Sequence, residues 1–191
     1  MKKIILILIL LISKLTNAQQ IVNIHSGHIY QDMPSGSYIK DIDNVLPKFA
    51  GTWVWTNGTD VVIFKLDKVT HFLHPHYGVY EDFMIGNYSY TKNNGSVIIV
   101  NTIKQTLNLN PELNPMTTGS PKSSTTIIFT FEDVLITNKR NARAVFEFLP
   151  NSLTQMRVTL KNPKESGGRI GDDRPFNPNF TLPIDIILTK Q

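Results

Sequence analysis

The chain has 191 residues, of which 41% are hydrophobic and 18% charged, with no cysteine and a formal charge of +4 at pH 7. The absence of cysteine excludes a disulfide framework, and no cluster of Lys and Arg exceeds Lys139-Arg140, which argues against nucleic acid as a partner. The length suits one domain, which must be held together by its apolar core.

The first element is an N-terminal leader. Two lysines precede nine apolar residues, 4–12, and Thr16-Asn17-Ala18 supplies the small residues typical of a cleavage site before Gln19. The apolar run is less than half of the roughly 20 residues that a membrane-spanning helix needs. We expect a signal peptide over residues 1–18 and a secreted or periplasmic mature protein with no membrane span and no lipid-anchor cysteine. Removing the leader removes three lysines and lowers the formal charge to +1.

The next stretch is an extended arm followed by a short helical turn. Residues 19–40 show no sustained period, which indicates an arm with one short strand near 20–24. Residues 41–49 favour a helical turn, kept short by Pro47. We therefore predict an extended N-terminal arm over 19–40 and a β-barrel domain over 41–191.

A hairpin signal follows at Asn57-Gly58, which lies between two β-branched and aromatic runs. A two-residue type I′ turn at this dipeptide would pair Trp53 with Val62 and Trp55 with Asp60, and paired residues point to the same face. One face then carries aromatic and aliphatic side chains and is predicted to form the core. Its members are Trp53, Trp55, Val62, Phe64 and Leu66.

The remaining chain predicts further two-faced strands joined by turns. Asn93-Asn94-Gly95 predicts a second hairpin, Gly86 a bend, and residues 107–124 and 161–179 two long surface loops. Strands recur about every 10–12 residues, and sequential hairpins favour an all-β, antiparallel up-and-down barrel of about 8–10 strands. The strands predicted after the first hairpin cover 79–90, 96–106, 125–131, 142–149, 153–160 and 181–190.

Parts of the chain resemble known families. Phe49-Ala50-Gly51-Thr52-Trp53, preceded by the segment 41–47, resembles the opening of the lipocalin and fatty-acid-binding-protein superfamily, where a helical turn closes the barrel and a Gly-x-Trp signature starts its first strand. Together with residues 80–90 and 180–190, it also resembles an uncharacterised family of small exported Gram-negative bacterial proteins, a domain of unknown function, which implies no known activity.

The superfamily resemblance implies a lipocalin-like (calycin-like) barrel in which Trp53 closes one end. It also implies that a basic side chain from a late strand packs across that tryptophan, and both Lys190 and Arg157 are candidates.

The predicted interior face supplies candidates for ligand contact. Trp55 lies nearest the hairpin tip, although aromatic residues at strand spacing also serve as plain core. Asp60 is the polar candidate on the same face, and the alternative is a rim carboxylate in water. The candidate ligand-binding residues are Trp55, Asp60, Phe64, Tyr88 and Phe146.

Three histidines around Pro75 are a weaker candidate for a metal site. His74 and His76 share strand parity, and with His71 they could ligate zinc or copper. Against this, His71 has the opposite parity, and Pro75 places the pair in a turn, so solvated loop histidines are the alternative.

No motif indicates catalysis. There is no Gly-x-Ser-x-Gly nucleophile elbow, and Glu81 and Asp82 are adjacent in a strand, so they face opposite sides and cannot form a paired-carboxylate site. We expect no enzymatic activity and no cofactor. The favoured function is a non-catalytic module that binds a small apolar or amphipathic ligand in the barrel, and the alternative is a ligand-free protein-interaction module.

Overall fold

The computed structural model describes residues 19–27, 29–103, 108–136, 142–162 and 178–191. These residues form one sheet of eleven strands, one short α-helix, α1 (Leu46–Phe49), and two 3-10 turns at Tyr30–Asp32 and Pro111–Leu113. The predicted signal peptide and most of the second predicted loop lie outside the described residues. The strands are β1 (Ile21–Asn23), β2 (Tyr38–Lys40), β3 (Gly51–Asn57), β4 (Asp60–His74), β5 (Val79–Lys92), β6 (Val97–Asn101), β7 (Met116–Pro121), β8 (Thr126–Phe131), β9 (Ala142–Phe148), β10 (Gln155–Lys161) and β11 (Asp185–Lys190).

Eight of these strands close into an antiparallel barrel. The order is β5-β4-β3-β11-β10-β9-β8-β7, and β7 pairs back to β5. The other three extend the sheet along β5, with the parallel pair β1-β2 beside its first residues and β6 beside its last. The prediction of an all-β, lipocalin-like antiparallel barrel with a short helical turn is confirmed.

The β3–β4 hairpin forms with a different turn from the predicted one. Asn57 pairs with Asp60, so the two central residues are Gly58 and Thr59, and Trp53 lies opposite Phe64. Gly58 has a φ of +59° and Thr59 does not have positive φ, which fits the first position of a type II′ turn. The predicted type I′ turn is therefore wrong by one position, and each predicted cross-strand partner is wrong by two residues. Because strand side chains alternate with a period of two, this shift leaves each side chain on its predicted face.

The predicted surface loop 107–124 is also wrong, because it contains the strand that closes the barrel. β7 pairs with β5 through Met84 opposite Gly119 and Gly86 opposite Met116. Its sequence, Met-Thr-Thr-Gly-Ser-Pro, has one large apolar residue and ends in proline, so neither periodicity nor β-propensity marks it as a strand. Backbone pairing to neighbours on both sides is what holds it in the sheet.

The inward faces of the barrel strands pack into one apolar core. Trp53, Phe64, Leu66 and Leu188 are fully buried, whereas Val54, Val61 and Ile63 on the opposite face are only partly buried. The core continues through α1, where Phe49 lies 4.7 Å from Phe148 between ring centroids. Burying each large apolar side chain contributes roughly 1.5–3 kcal/mol, which makes this core the main source of stability.

A buried carboxylate connects the helix α1 to strand β4 of the barrel. Asp41 accepts hydrogen bonds from the backbone N–H groups of Val45 (2.8 Å) and Leu46 (3.0 Å), which are free donors at the start of α1. It also accepts a 3.0 Å bond from Lys68 Nζ on β4. One side chain therefore caps the helix and fixes it against the sheet.

Candidate functional site

Three predicted ligand-binding residues meet inside the barrel, where they pack against one another. The Phe64 ring centroid lies 5.2 Å from that of Phe146 and 6.2 Å from that of Tyr88, and all three side chains are fully buried. Phe129 and Phe131 add further ring contacts at 5.3 Å to Phe146 and Tyr88, respectively. Such spacings are those of directly packed aromatic rings, so side chains occupy this part of the interior.

The chain that follows β8 and the chain that precedes β11 cover the same end of the barrel. The Tyr88 hydroxyl donates to the Glu132 carbonyl (3.2 Å) and accepts from the Val134 N–H (3.0 Å). Asp133 accepts a short 2.6 Å bond from the Thr181 N–H, and the Phe180 ring packs 6.0 Å from Phe131. Tyr88 is therefore held both by packing and by its hydroxyl.

The other two predicted ligand residues lie near the β3–β4 turn. Trp55 is partly buried and packs against the core, and Asp60 is partly exposed. Asp60 Oδ2 accepts a 2.8 Å hydrogen bond from the Tyr90 hydroxyl. Burial, then the bond to Asp60, raises the pKa of Tyr90 above its ordinary value. The Asp60–Tyr90 hydrogen bond is therefore a polar contact at the barrel rim, and Asp60 belongs to the β3–β4 hairpin that also carries the partly accessible Trp55.

The three histidines of the candidate metal site have separate surroundings. His74 Nε2 lies 2.7 Å from Glu81 Oε2, the exposed His71 stacks on Tyr80 at 4.1 Å, and His76 packs edge-on against Tyr77. Within the described ranges, no group of three or more His, Asp or Glu side chains is arranged to hold a metal ion.

Sequence reasoning did not assign a role to Glu81 and Asp82, which bind the N-terminal arm on opposite faces of β5. The Tyr30 hydroxyl donates to Glu81 Oε2 (2.7 Å), and the Tyr38 hydroxyl donates to Asp82 Oδ1 (2.6 Å). Asp82 also accepts the backbone N–H of His71, whose φ of +52° is unusual for a residue other than glycine. Because adjacent strand residues face opposite sides, Glu81 and Asp82 cannot form a paired-carboxylate site. Each of them binds a different tyrosine instead.

These contacts raise the pKa values of both tyrosines. Burial, followed by the charge of Glu81, raises the pKa of Tyr30 well above its ordinary value. Burial and the bond to Asp82 raise the pKa of Tyr38 in the same direction. Both phenols therefore stay protonated as donors, which is what an anchor for the arm requires.

A cavity of about 620 Å³ lies on the outside of the barrel, at the hairpin between β9 and β10. Its wall includes Glu147 on β9, Arg157 on β10 and the connecting turn from Leu149 to Leu153. Glu147 and Arg157 are directly opposite each other in the β9–β10 ladder, so both project from the outer face. Sequence reasoning missed this site because its walls come from a turn and from exposed positions with no distinguishing motif.

Among the described residues, no helix has the length and apolar character needed to cross a membrane. No curated protein and no solved structure matches the chain. One family model does match, over residues 1–191, and its description is a family of unknown function (DUF6705).

Proposed function

The chain belongs to this family of unknown function, and from that premise we propose that it is an exported, non-catalytic binding module that binds its ligand on the outer surface of a filled barrel. The observation that carries the proposal is the direct packing of Phe64, Tyr88 and Phe146 inside the barrel. An interior ligand would have to displace these rings, and each buried aromatic side chain contributes roughly 1.5–3 kcal/mol to the core.

Export is supported by the leader. Its two lysines, nine apolar residues and small residues at 16–18 match the charge, length and cleavage chemistry of a signal peptide. Expression of the full chain in a bacterial host should yield a protein outside the cytoplasm whose first residue is Gln19. Leu8→Arg, which interrupts the apolar run, should keep the chain uncleaved in the cytoplasm, and wild-type chain retained there uncleaved would contradict export.

A fluorescent fatty-acid or retinoid-like probe tests the filled interior. We expect no saturable quenching of tryptophan emission, because the aromatic residues occupy the space such a ligand would need. The chain has two tryptophans, and Trp53 is fully buried, so Trp55 is the accessible reporter. Saturable quenching would overturn the proposal: quenching that Trp55→Phe abolishes would indicate a ligand at the rim, and quenching that remains in this variant would indicate a ligand beside Trp53 in the interior.

The second candidate is a small apolar ligand bound at the barrel rim. Its specific support is the partly exposed Trp55 on the face that also carries Asp60, whose carboxylate is bound to the Tyr90 hydroxyl. The same titration separates the two functions, since a rim ligand would change Trp55 emission and an outer-surface ligand would not.

A further inference from the structure

The cavity at the β9–β10 hairpin has the size of a small-molecule site. Its volume of about 620 Å³ lies within the range of about 300–1,000 Å³ found for ligand pockets. One side is the outer face of the sheet, and the opposite side is the turn that ends in Leu153. Leu153 is 63% exposed, so its side chain is open to a ligand in the cavity.

Two opposite charges face this cavity with unused hydrogen-bonding capacity. Within the described chain, the Glu147 carboxylate makes no hydrogen bond and no ion pair, although the Glu147 backbone pairs with β8 and β10. Among the described residues, Arg157 has one ion-pair partner, Asp185, whose Oδ1 lies 3.6 Å from the Arg157 Nε, beyond hydrogen-bonding distance. The guanidinium therefore has donors to offer a carboxylate, and Glu147 can accept from an ammonium group.

The spacing of these charges limits the ligand. Directly opposed residues in an antiparallel ladder have Cβ atoms about 4.5–5.5 Å apart. An extended dipeptide spans roughly 7 Å between its ends, which is close to the separation that two long, outward-pointing side chains can reach. A ligand with an ammonium at one end and a carboxylate at the other would meet both charges at once.

The turn supplies the apolar part of the site. Leu149, Pro150 and Leu153 line the cavity beside the two charges. The turn is held in shape by Ser152, whose hydroxyl oxygen accepts the backbone N–H groups of Thr154 (3.2 Å) and Gln155 (2.9 Å). An aliphatic side chain of the ligand would pack against this wall and gain roughly 25 cal/mol for each Å² of apolar surface removed from water.

We propose that this cavity binds short peptides of two or three residues that have free termini and apolar side chains, with the carboxylate on Arg157 and the ammonium on Glu147. The inference rests on the proposed outer-surface function and adds its ligand class.

The probe is the dipeptide leucyl-leucine, titrated into isotope-labelled mature protein and followed by NMR. We expect saturable shift changes at residues 147–157. Acetylating the amino terminus or amidating the carboxyl terminus should each weaken binding about tenfold or more, because a hydrogen bond to a charged group contributes about 1.5–3 kcal/mol.

Matched variants separate the site from the rest of the surface. Arg157→Gln should weaken binding about tenfold, whereas Arg143→Gln should not, because Arg143 is an exposed arginine on β9 that does not line the cavity. Leu153→Ala should weaken binding, whereas Ile98→Ala, at an equally exposed position on β6 outside the cavity, should leave it unchanged.

The outcomes distinguish this inference from the proposed function. No saturable shift anywhere, or equal affinity for the blocked dipeptides, overturns the peptide site and leaves the outer-surface function standing. Saturable shifts at Tyr88 and Phe146 in place of the cavity residues overturn both. Equal losses in the Arg157 and Arg143 variants also overturn the site, since they would indicate general charge attraction.

Discussion

The ammonium of Lys190 lies 5.1 Å from the ring centroid of Trp53. Lys190 is near the end of the last strand and Trp53 is in the first barrel strand, so the contact joins the two ends of the barrel domain where β11 pairs with β3. The same ammonium donates a 3.1 Å hydrogen bond to the Lys48 carbonyl, which is a free acceptor in the last turn of α1. Lys190 thus contacts both α1 and the indole ring of Trp53.

Gly51 makes room for this lysine. A Cβ at residue 51 would lie 3.1 Å from Lys190 Cε, and the backbone there has a φ of +124°, which side-chain-bearing residues rarely adopt. The indole N–H of Trp53 donates 2.8 Å to the Phe49 carbonyl. The Gly-x-Trp signature therefore has a physical reason in this chain, since the glycine admits the cation that covers the tryptophan.

Replacing Lys190 with methionine should destabilise the protein by about 1–2 kcal/mol, because the cation–π contact and the bond to Lys48 are both lost while most of the aliphatic stem remains. The measurement is urea unfolding followed by tryptophan emission. Lys161→Met is the matched control, since Lys161 is an exposed lysine at the end of β10. Equal losses in the two variants would show that the contact with Trp53 contributes nothing.

Replacing Gly119 with alanine should destabilise the barrel by about 1–3 kcal/mol or more, the range for overpacked cores. A Cβ at this position in β7 would lie 2.4 Å from Phe129 Cε1 and 2.7 Å from Met84 Cβ. Thermal unfolding measures the loss, and Thr117→Ala, on the same strand, provides a control. If Gly119→Ala were neutral, β7 would not pack against the core as described.

Replacing Asp41 with asparagine should cost about 3 kcal/mol, at the low end of the range for breaking buried ion pairs. Asparagine keeps one acceptor oxygen, for the Val45 N–H, but its amide NH2 replaces the oxygen that accepts from the Leu46 N–H and the Lys68 ammonium. Lys68 retains some contact with water, because its side chain is 19% exposed, which limits the penalty. Chemical denaturation of Asp43→Asn, an exposed aspartate two residues away, should show a much smaller change; a similar loss would argue against a special role for Asp41.

Stability should fall as the pH rises above about 10, the ordinary pKa of tyrosine. The pKa of Tyr30 is raised in the folded state, first by burial and then by Glu81. Above pH 10 the unfolded chain therefore loses the phenolic proton while the folded chain keeps it. The contribution of Tyr30 to stability is complete below the tyrosine pKa of the unfolded chain. It is lost progressively as the pH rises toward the higher Tyr30 pKa of the folded chain, by up to about 1.4 kcal/mol per pH unit.

Tyr30→Phe isolates this effect, because Tyr38, Tyr88 and Tyr90 have pKa values raised in the same direction and add to the total. The variant should be less stable at pH 7 by about 1.5–3 kcal/mol, since it loses a hydrogen bond to a carboxylate. Its unfolding free energy should also decline less steeply between about pH 10 and 11 than that of the wild type. An unchanged slope would mean that Tyr30 ionises equally in both states.

The sequence by itself determined the barrel class and the faces of its strands. Alternation placed Trp53, Phe64 and Leu66 inward, and it did so even though the predicted pairing was two residues out of register, because side-chain direction depends only on parity. Adjacent positions likewise put Glu81 and Asp82 on opposite faces. The alternation rule suffices to predict which face a side chain occupies, because that face is a property of a single strand.

Only the tertiary structure decided which distant residues meet. In the folded chain Lys190, and not Arg157, places its cation on Trp53. β7 forms a strand although its sequence has low β-propensity. Tyr30 and Tyr38 each bind one of the two carboxylates of β5. The tertiary structure also packed Phe64, Tyr88 and Phe146 together where the sequence predicted a ligand. These outcomes depend on closure of the sheet, because closure determines which strands become neighbours and how much space remains between their inward side chains.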